Sequence, residues 1–440
     1  MMSSIFKAYD IRGLYPQEVN EEIAHLVGLA IAQLAHGGRV VMGRDMRLSS
    51  LSLHRALAAG LVAGGAMVDD LELVPIDAMY FAVGKFDYQA GVMVTASHNP
   101  PLYNGFKMVG AGVKMVRGRE IERLVSQVKP ASSQGVMAER DLWPDYLVHL
   151  GSFIDKSVLK PLKIIIDAGN GLAGLVIPRL FNGLPFELVP LFFELDGSFP
   201  NRPSNPLAEG AARQAAARVR AVKADLGVMF DGDTDRMFLL DEKGNFVSAD
   251  VTLLLLAQEF LRRQPGSAVV YNLICSRAVP EFIKHWGGRP FRSAVGYANV
   301  REVMLAERAV LGGELSAHYS FRDNYYADSG FIALLLVLEL LSRQAKPLSE
   351  LVREYAPYAK APEINLTVAE AAKVLAAIRV RYAGAQLDEL DGITVSYPDW
   401  WFNARPSNTE PLLRVTVEAQ NAELLRLKQD EVISFIKQLS

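Results

Sequence analysis

Three stretches of this 440-residue chain repeat one plan, and that plan leaves few folds open: a short β-branched run, a polar or glycine turn, an amphipathic stretch closed by glycine, then a second apolar run. The first goes from Arg39-Val40-Val41-Met42-Gly43-Arg44-Asp45 through Leu57 to Gly64-Gly65 and on to Ala66-Met67-Val68. The second goes from Lys163-Ile164-Ile165-Ile166-Asp167 past Pro178 to Asn182-Gly183 and Phe186-Glu187-Leu188-Val189. The third goes from Ala268-Val269-Val270-Tyr271-Asn272 past Pro280 to Gly287-Gly288 and Phe291-Arg292-Ser293. Strands alternating with helices of this length imply βαβ units, and therefore sheets covered on both faces with ligands gathered at strand carboxyl ends. The expected fold class is α/β: three similar mixed α/β domains with largely parallel sheets. The remainder pairs helical stretches at 368–382 and 422–439 with strand-like runs at 392–396 and 413–418, a smaller C-terminal α+β domain. Boundaries fall in the polar or proline-rich stretches 129–144, 241–250 and 346–362, giving domains 1–143, 144–245, 246–355 and 356–440.

Bulk properties narrow the functional classes. Half the residues (50%) are apolar and 22% are charged, so burial can offset chain entropy over roughly three or four cores. A net charge of −3 gives no blanket attraction to nucleic acid or anionic lipid; neither is an expected partner, and any phosphate binding must be local. Cys275 is the lone cysteine, so no internal disulfide forms, and Lys7 interrupts the amino terminus where a secretory signal needs an unbroken apolar segment. A cytoplasmic location is expected. The apolar stretches 251–257 and 331–341 are shorter than the ~20 residues that span a bilayer, and Glu339 interrupts the second. Both predict buried helix faces.

Four polar loops at the ends of apolar runs carry the chemistry. Gly91-Val92-Met93-Val94-Thr95-Ala96-Ser97-His98-Asn99-Pro100 ends a strand-like run in a serine flanked by histidine and asparagine. A strand delivers the hydroxyl to a sheet edge, and polar neighbours hold an anion on it. Alternatively Ser97 or Asn99 caps a helix starting near Pro100 or Pro101. Asp231-Gly232-Asp233-Thr234-Asp235-Arg236 crowds three carboxylates into one strand-to-strand turn; such repulsion calls for a hard divalent cation, with Arg236 contacting phosphate or bracing the loop. An EF-hand is excluded by Arg236 at the sixth position, where that motif needs glycine. Gly312-Gly313-Glu314-Leu315-Ser316-Ala317-His318 offers a glutamate and a serine for vicinal sugar hydroxyls and a histidine for proton transfer, although a histidine among aromatics is more often structural. Arg405-Pro406-Ser407-Asn408-Thr409-Glu410-Pro411 offers a guanidinium, two hydroxyls, an amide and turn amides, which suits a dianionic phosphate. A fifth stretch, Gly169-Asn170-Gly171-Leu172-Ala173-Gly174, matches G-x-G-x-x-G, but Glu187 does not end a strand as a ribose-binding acid would; tight turning and close helix packing are the better account.

In that order, and opening with Lys7-Ala8-Tyr9-Asp10-Ile11-Arg12-Gly13, the loops closely resemble those of the α-D-phosphohexomutases, in their phosphomannomutase/phosphoglucomutase branch, over essentially the whole chain. The resemblance implies four domains around a central cleft: a phosphoserine domain, a metal-binding domain, a sugar-specificity domain and a C-terminal phosphate-binding domain. It implies a phosphoserine at Ser97, Mg²⁺ held by Asp231, Asp233, Asp235 and the seryl phosphate, and sugar contacts from Glu314 and Ser316. The distal phosphate falls to Arg405, Ser407, Asn408 and Thr409. Arg12, His98, Lys107 and His318 are the further catalytic candidates, and Tyr9, Arg236 and Tyr297 further substrate-binding ones. The implied reaction interconverts hexose 1-phosphates and 6-phosphates of mannose, glucose or both, with a hexose 1,6-bisphosphate as intermediate and activator, in a monomer or weak homo-oligomer.

One stretch departs from many bacterial relatives. Their third-domain loop carries a lysine and a histidine, whereas this chain has Arg292-Ser293-Ala294-Val295-Gly296-Tyr297, which leaves the sugar preference open. Leu315 in Gly-Glu-Leu-Ser favours the mannose/glucose branch over phosphoglucosamine mutases. Two other functions stand against this one: a haloacid-dehalogenase-type enzyme with an aspartate nucleophile in Asp231-Gly232-Asp233-Thr234-Asp235, and a sugar-phosphate binding protein without turnover.

Overall fold

Each of the three repeats forms strand, helix and strand in the computed structural model, which describes residues 5–407 and 412–439. The chain divides into two units, Met1–Glu259 with Ser316–Ser349, and Phe260–Leu315 with Glu350–Ser440.

In the first unit, strands Ile11–Leu14 (β1), Arg39–Arg44 (β2), Met67–Leu73 (β3), Ala90–Val94 (β4), Tyr103–Gly110 (β5), Lys114–Met115 (β6) and Val136–Glu139 (β7) form one sheet in the order β1-β5-β4-β2-β3-β7, with β6 on β5. The ladders β4-β2, β2-β3 and β3-β7 are parallel, while β5 is antiparallel to β1, β4 and β6, so the sheet is mixed and its centre parallel, as expected. Helices Glu21–Leu34 (α1), Ser50–Ala63 (α2), Ile76–Lys85 (α3), Gly118–Val125 (α4) and Trp143–Gly151 (α5) accompany it. The α1–α2 crossing is backbone to backbone: a Cβ on Gly28 would lie 2.4 Å from Leu57 O, and one on Gly60 would lie 2.1 Å from His25 O. Ile23, Val27, Ile31, Leu53, Leu57 and Leu61 fill the core around it.

A second sheet in this unit orders Lys163–Asp167 (β8), Glu187–Leu191 (β9), Leu226–Phe230 (β10), Met237–Leu240 (β11) and Phe246–Val247 (β12) as β12-β11-β10-β8-β9, with helices Ala173–Leu180 (α6) and Arg213–Val222 (α7). Strand β8 is parallel to both neighbours, whereas β10 and β11 form an antiparallel hairpin closed at Phe230 and Met237, and its turn is the acidic loop. The G-x-G-x-x-G glycines serve packing, as expected: a Cβ on Gly174 would lie 2.1 Å from Phe193 O. Helix Ala249–Arg263 (α8) leads towards the second unit. That unit holds strands Ala268–Asn272 (β13), Arg289–Ser293 (β14) and Leu311–Gly313 (β15), β13 parallel to both others, with helices Ala278–His285 (α9) and Tyr297–Glu307 (α10). The chain returns to the first unit for the hairpin Tyr319–Phe321 (β16) and Ala327–Asp328 (β17) and for helix Gly330–Gln344 (α11). The 331–341 stretch proves buried all round rather than on one face; Glu339 is tolerated there because Arg343 donates to it at 2.9 and 3.0 Å.

After helix Leu348–Tyr355 (α12), the C-terminal part of the second unit has strands Ala359–Lys360 (β18), Ile364–Thr367 (β19), Gln386–Asp388 (β20), Ile393–Ser396 (β21), Trp400–Pro406 (β22) and Leu412–Ala419 (β23) and helices Ala371–Arg381 (α13) and Ala422–Gln438 (α14). Its sheet, β18-β23-β22-β21-β20 with β19 on β23, is antiparallel throughout, and Trp400, Phe402, Val415, Val417, Val432 and Ile436 fill its core. Several elements, β12 and β18 among them, lie where polar character pointed to linkers or a turn. Strand β7 sits inside 129–144 as a four-residue exposed edge strand, too short amid polar flanks to signal itself, α12 sits inside 346–362, and Arg405 and Pro406 end β22 rather than opening a turn. Among the described residues no helix is long and apolar enough to cross a membrane.

Candidate active site

Strand β4 is buried along its length and leads directly into Thr95, Ala96 and Ser97, which are buried too. No helix follows: residues 98–102 turn and β5 returns, so the capping alternative for Ser97 falls. Ser97 has φ 49°, a left-handed conformation that costs a residue with a Cβ about 1–2 kcal/mol. Dense hydrogen bonding holds it there. Ser97 N donates to Thr95 Oγ1 (2.9 Å), and Ser97 O accepts from Arg47 Nη2 (2.7 Å) and Ser204 Oγ (3.1 Å). Arg47 also donates to Asn99 O (2.7 Å), Pro100 O (2.9 Å) and Tyr103 O (3.0 Å), and its Nε pairs with Asp45 at 3.3 Å. Arg12, on β1, reaches the same turn through Asn99 Oδ1 (2.7 Å) and pairs with Asp10.

Opposite the serine stands the β10–β11 hairpin. Ser97 Oγ donates to Asp231 Oδ2 at 2.9 Å and lies 3.3 Å from His98 Nδ1. Lys107, on β5, donates to Asp233 Oδ2 (2.8 Å) and Asp235 Oδ2 (2.5 Å). Arg236 donates to His98 Nδ1 (2.6 Å) and His318 Nε2 (3.3 Å), and Ser316 Oγ lies 2.9 Å from His318 Nδ1. Ser97, His98, Lys107, the three aspartates, Arg236, Ser316 and His318 thus form one network within the first unit, which Arg12 joins through Asn99.

The charges in it are unequal. Burial, then the Asp235 and Asp233 carboxylates, push Asp231 well above the usual carboxylate range. Burial works the same way on Asp235, but Lys107, His318 and Arg236 outweigh it and hold that carboxyl well below the usual range. Burial opposes the charge on Lys107, yet Asp233 and Asp235 raise its pKa. Burial, then the Arg236 and Arg12 cations, push His98 well below the ordinary imidazole value, so its ring is neutral at pH 7. With Nδ1 accepting from Arg236, His98 is a hydrogen-bonding neighbour of Ser97 rather than its base.

The donor set fits a hard divalent cation. One oxygen from each of Asp231, Asp233 and Asp235 lies within 4.8 Å of the others, and Asp233 Oδ1 and Asp235 Oδ1 are buried without a hydrogen-bond partner. All-oxygen ligands suit Mg²⁺ rather than a thiophilic metal.

In the second unit Glu314 is buried and accepts from Gly296 N (2.9 Å) and Asn272 Nδ2 (3.4 Å), which ties it to the 292–297 loop, where Tyr297 starts α10. Arg405 is buried at the end of β22 and donates to Glu363 Oε2 (2.6 Å). Ser407 N donates to Leu412 O (2.8 Å). Asn408 and Thr409 lie outside the described residues, and Tyr9 is half-buried. Sequence reasoning missed Arg47, Asp45, Arg202 and Asp328. Arg202 joins Asp167 Oδ1 (2.9 Å) to Phe230 O (2.7 Å), directly before the acidic loop, and buried Asp328 is grouped with Asp235 and His318. Arg44-Asp45-Met46-Arg47, at the carboxyl end of an apolar strand, was the available signal for two of them.

Repeated α/β domains carrying a buried serine beside an acidic hairpin suit phosphoryl transfer assisted by a divalent cation. Four family models then match in chain order: phosphoglucomutase/phosphomannomutase α/β/α domain I over residues 3–133, domain II over 144–244, domain III over 248–358 and the C-terminal domain over 363–434. The chain belongs to the phosphoglucomutase/phosphomannomutase family. It is 39% identical to a phosphomannomutase of Escherichia coli, covering 98% of this chain and 99% of that protein. It is 35% identical to a phosphomannomutase/phosphoglucomutase of Pseudomonas aeruginosa, covering 96% and 93%. A crystal structure of a phosphoglucomutase/phosphomannomutase family protein from Burkholderia thailandensis superposes with a TM-score of 0.91 at 33% identity, covering 99% of this chain and 97% of that one. A haloacid-dehalogenase assignment of the acidic loop does not survive these matches.

Proposed function

We propose that this mutase interconverts hexose 1-phosphates and 6-phosphates of mannose, glucose or both, with Ser97 carrying the phosphoryl group between them. Full-length likeness to phosphomannomutases and to a phosphomannomutase/phosphoglucomutase supports the reaction. The single observation that supports the carrier is Ser97 Oγ, held in a left-handed backbone at 2.9 Å from Asp231 Oδ2. Transfer from phosphorylated Ser97 breaks its Oγ–P bond and forms a P–O bond on a sugar hydroxyl, whose proton must be taken up. His318, by its place in Gly313-Glu314-Leu315-Ser316-Ala317-His318 and in the network around Ser97, is our acid/base. The resulting 1,6-bisphosphate then returns its other phosphoryl group to Ser97, and the same bisphosphate serves as activator. Lys107, Arg12 and Arg236 compensate charge spread over the moving group.

Asp231, Asp233, Asp235 and the seryl phosphate would hold Mg²⁺, which supplies Lewis-acid stabilisation of the transferring phosphoryl group. Glu314, Ser316, Tyr297 and Tyr9 address the sugar, and Arg405, Ser407, Asn408 and Thr409 its other phosphate. This assignment makes 1–143 the phosphoserine domain, 144–245 the metal domain, 246–355 the specificity domain and 356–440 the phosphate-binding domain. A cytoplasmic, monomeric or weakly oligomeric enzyme follows from the same reading.

The test is mass spectrometry of intact protein after incubation with glucose 1,6-bisphosphate. Wild type gains one phosphoryl group, and Ser97→Ala, folded but without mutase activity, gains none. Equal labelling of both overturns the carrier.

A further inference from the structure

Three successive backbone carbonyls of the acidic loop each close a different helix. Gly232 O accepts from Leu172 N (3.0 Å) at the start of α6, Asp233 O from Ile76 N (3.3 Å) at the start of α3, and Thr234 O from Gly330 N (3.3 Å) at the start of α11. Amides at a helix start ordinarily find a capping side chain. Pro75 and Leu172, at the N-caps of α3 and α6, make no such bond, and the loop's carbonyls instead take the first amide of α3 and the amide just before α6. Contact with α11 is tight: Thr234 has φ 71°, and a Cβ on Gly330 would lie 2.7 Å from Thr234 O. The carboxylates are therefore placed by where these helices begin.

Asp77 fixes two of those beginnings relative to each other. It lies in the first turn of α3, 1% exposed. One of its oxygens accepts from Ser329 Oγ (2.5 Å), the residue that caps α11 by accepting from Ile332 N (3.2 Å), and the other accepts from Tyr146 OH (2.7 Å) on α5. We propose that Asp77 is a positioning residue for the metal loop: through Ser329 it latches α3 to α11 and so sets the spacing of the Asp233 and Thr234 carbonyls and of the carboxylates between which the cation binds. The proposal rests on the reading of Asp231, Asp233 and Asp235 as a divalent-cation site. Tyr146 anchors α5 instead and supplies a control that loosens the same carboxylate without opening the latch.

Mn²⁺ alone is titrated into the full-length wild type, Asp77→Ala, Ser329→Ala and Tyr146→Phe, with free Mn²⁺ read by electron paramagnetic resonance and thermal unfolding recorded on the same samples. Asp77→Ala and Ser329→Ala should raise the Kd about tenfold, the range seen when residues behind a metal's ligands are removed, and Tyr146→Phe by less than about twofold. Should Asp77→Ala not fold, Ser329→Ala carries the test. Wild-type affinity in the folded latch variants, or equal weakening in Tyr146→Phe, overturns the positioning role. If wild type itself takes up no Mn²⁺, the metal reading of the loop fails and the positioning role falls with it.

Discussion

Arg47 carries its charge with no exposed side-chain surface, and the desolvation is offset by four carbonyls of the 97–103 turn and by Asp45. Arg47→Ala would strand the buried Asp45 carboxylate and should cost about 3–5 kcal/mol in urea unfolding. Arg47→Lys keeps the charge but has no fork to span four acceptors, so it should fold and show a lower kcat with KM little changed. Asp77 is the other decisive buried charge. Burial raises its pKa to about 7, against the donation of Ser329 and Tyr146. A carboxyl that holds its proton to higher pH in the folded chain than in the unfolded one contributes stability that is complete below about pH 4 and lost as pH rises towards 7, at most about 4 kcal/mol here. Asp77→Asn should flatten that part of the stability profile, and urea midpoints at pH 5 and pH 8 check it: wild type should lose more between them than the variant does. The place of Arg47 just past an apolar strand hinted at a site, but the partners of neither residue were legible in the sequence. Arg47 meets its partners about fifty positions away, and Asp77 meets Ser329 across 252 positions, distances over which no local pattern carries a signal.

At the scale of elements, the repeats were legible because short continuous β-branched runs and helical stretches closed by glycine determine strand, helix and strand locally. The acidic hairpin was legible too, since three aspartates between two apolar runs leave little choice but a turn. Strand β7 was not, because an exposed edge strand needs no apolar face to pair with β3. Nor was the α1–α2 crossing, although its glycines stood in plain view; only the crossing gives Gly28 and Gly60 a reason. Helix propensity favours alanine over glycine by about 1 kcal/mol, yet a Cβ at Gly60 would sit 2.1 Å from a backbone carbonyl that cannot swing aside. Overpacking should win: Gly60→Ala is expected to destabilise the protein by about 1–3 kcal/mol, measured by chemical denaturation, against the sign that propensity alone gives.

For the whole molecule, the order of the loops along the chain carried more information than any one of them. The serine motif alone was as compatible with a helix cap as with a nucleophile, and the acidic loop alone with other metal or phosphoryl chemistry. Exhaustive EDTA treatment should abolish turnover, and Mg²⁺ should restore it; activity surviving in EDTA would make the acidic loop structural. Sugar choice is tested by kcat/KM for mannose, glucose and glucosamine 1-phosphates with wild type, Glu314→Gln and Tyr297→His. Mannose and glucose should both be accepted, because they differ only in configuration at C2, whereas an ammonium there calls for a differently matched site; Glu314→Gln should lower kcat/KM for both. A preference for glucosamine, or an unaffected Glu314→Gln, would refute this specificity. The anchoring of the starts of α3, α6 and α11 on one loop has a kinetic consequence as well. Opening any of these helix starts requires letting go of the same loop, so the amides of Ile76, Leu172 and Gly330, far apart in the chain, should exchange their hydrogens for deuterium as one cooperative group. A cation bound to the loop at a hundred times its Kd would slow all three together by up to about 100-fold, so that occupancy of the site could be followed by exchange at amides that never touch the ion.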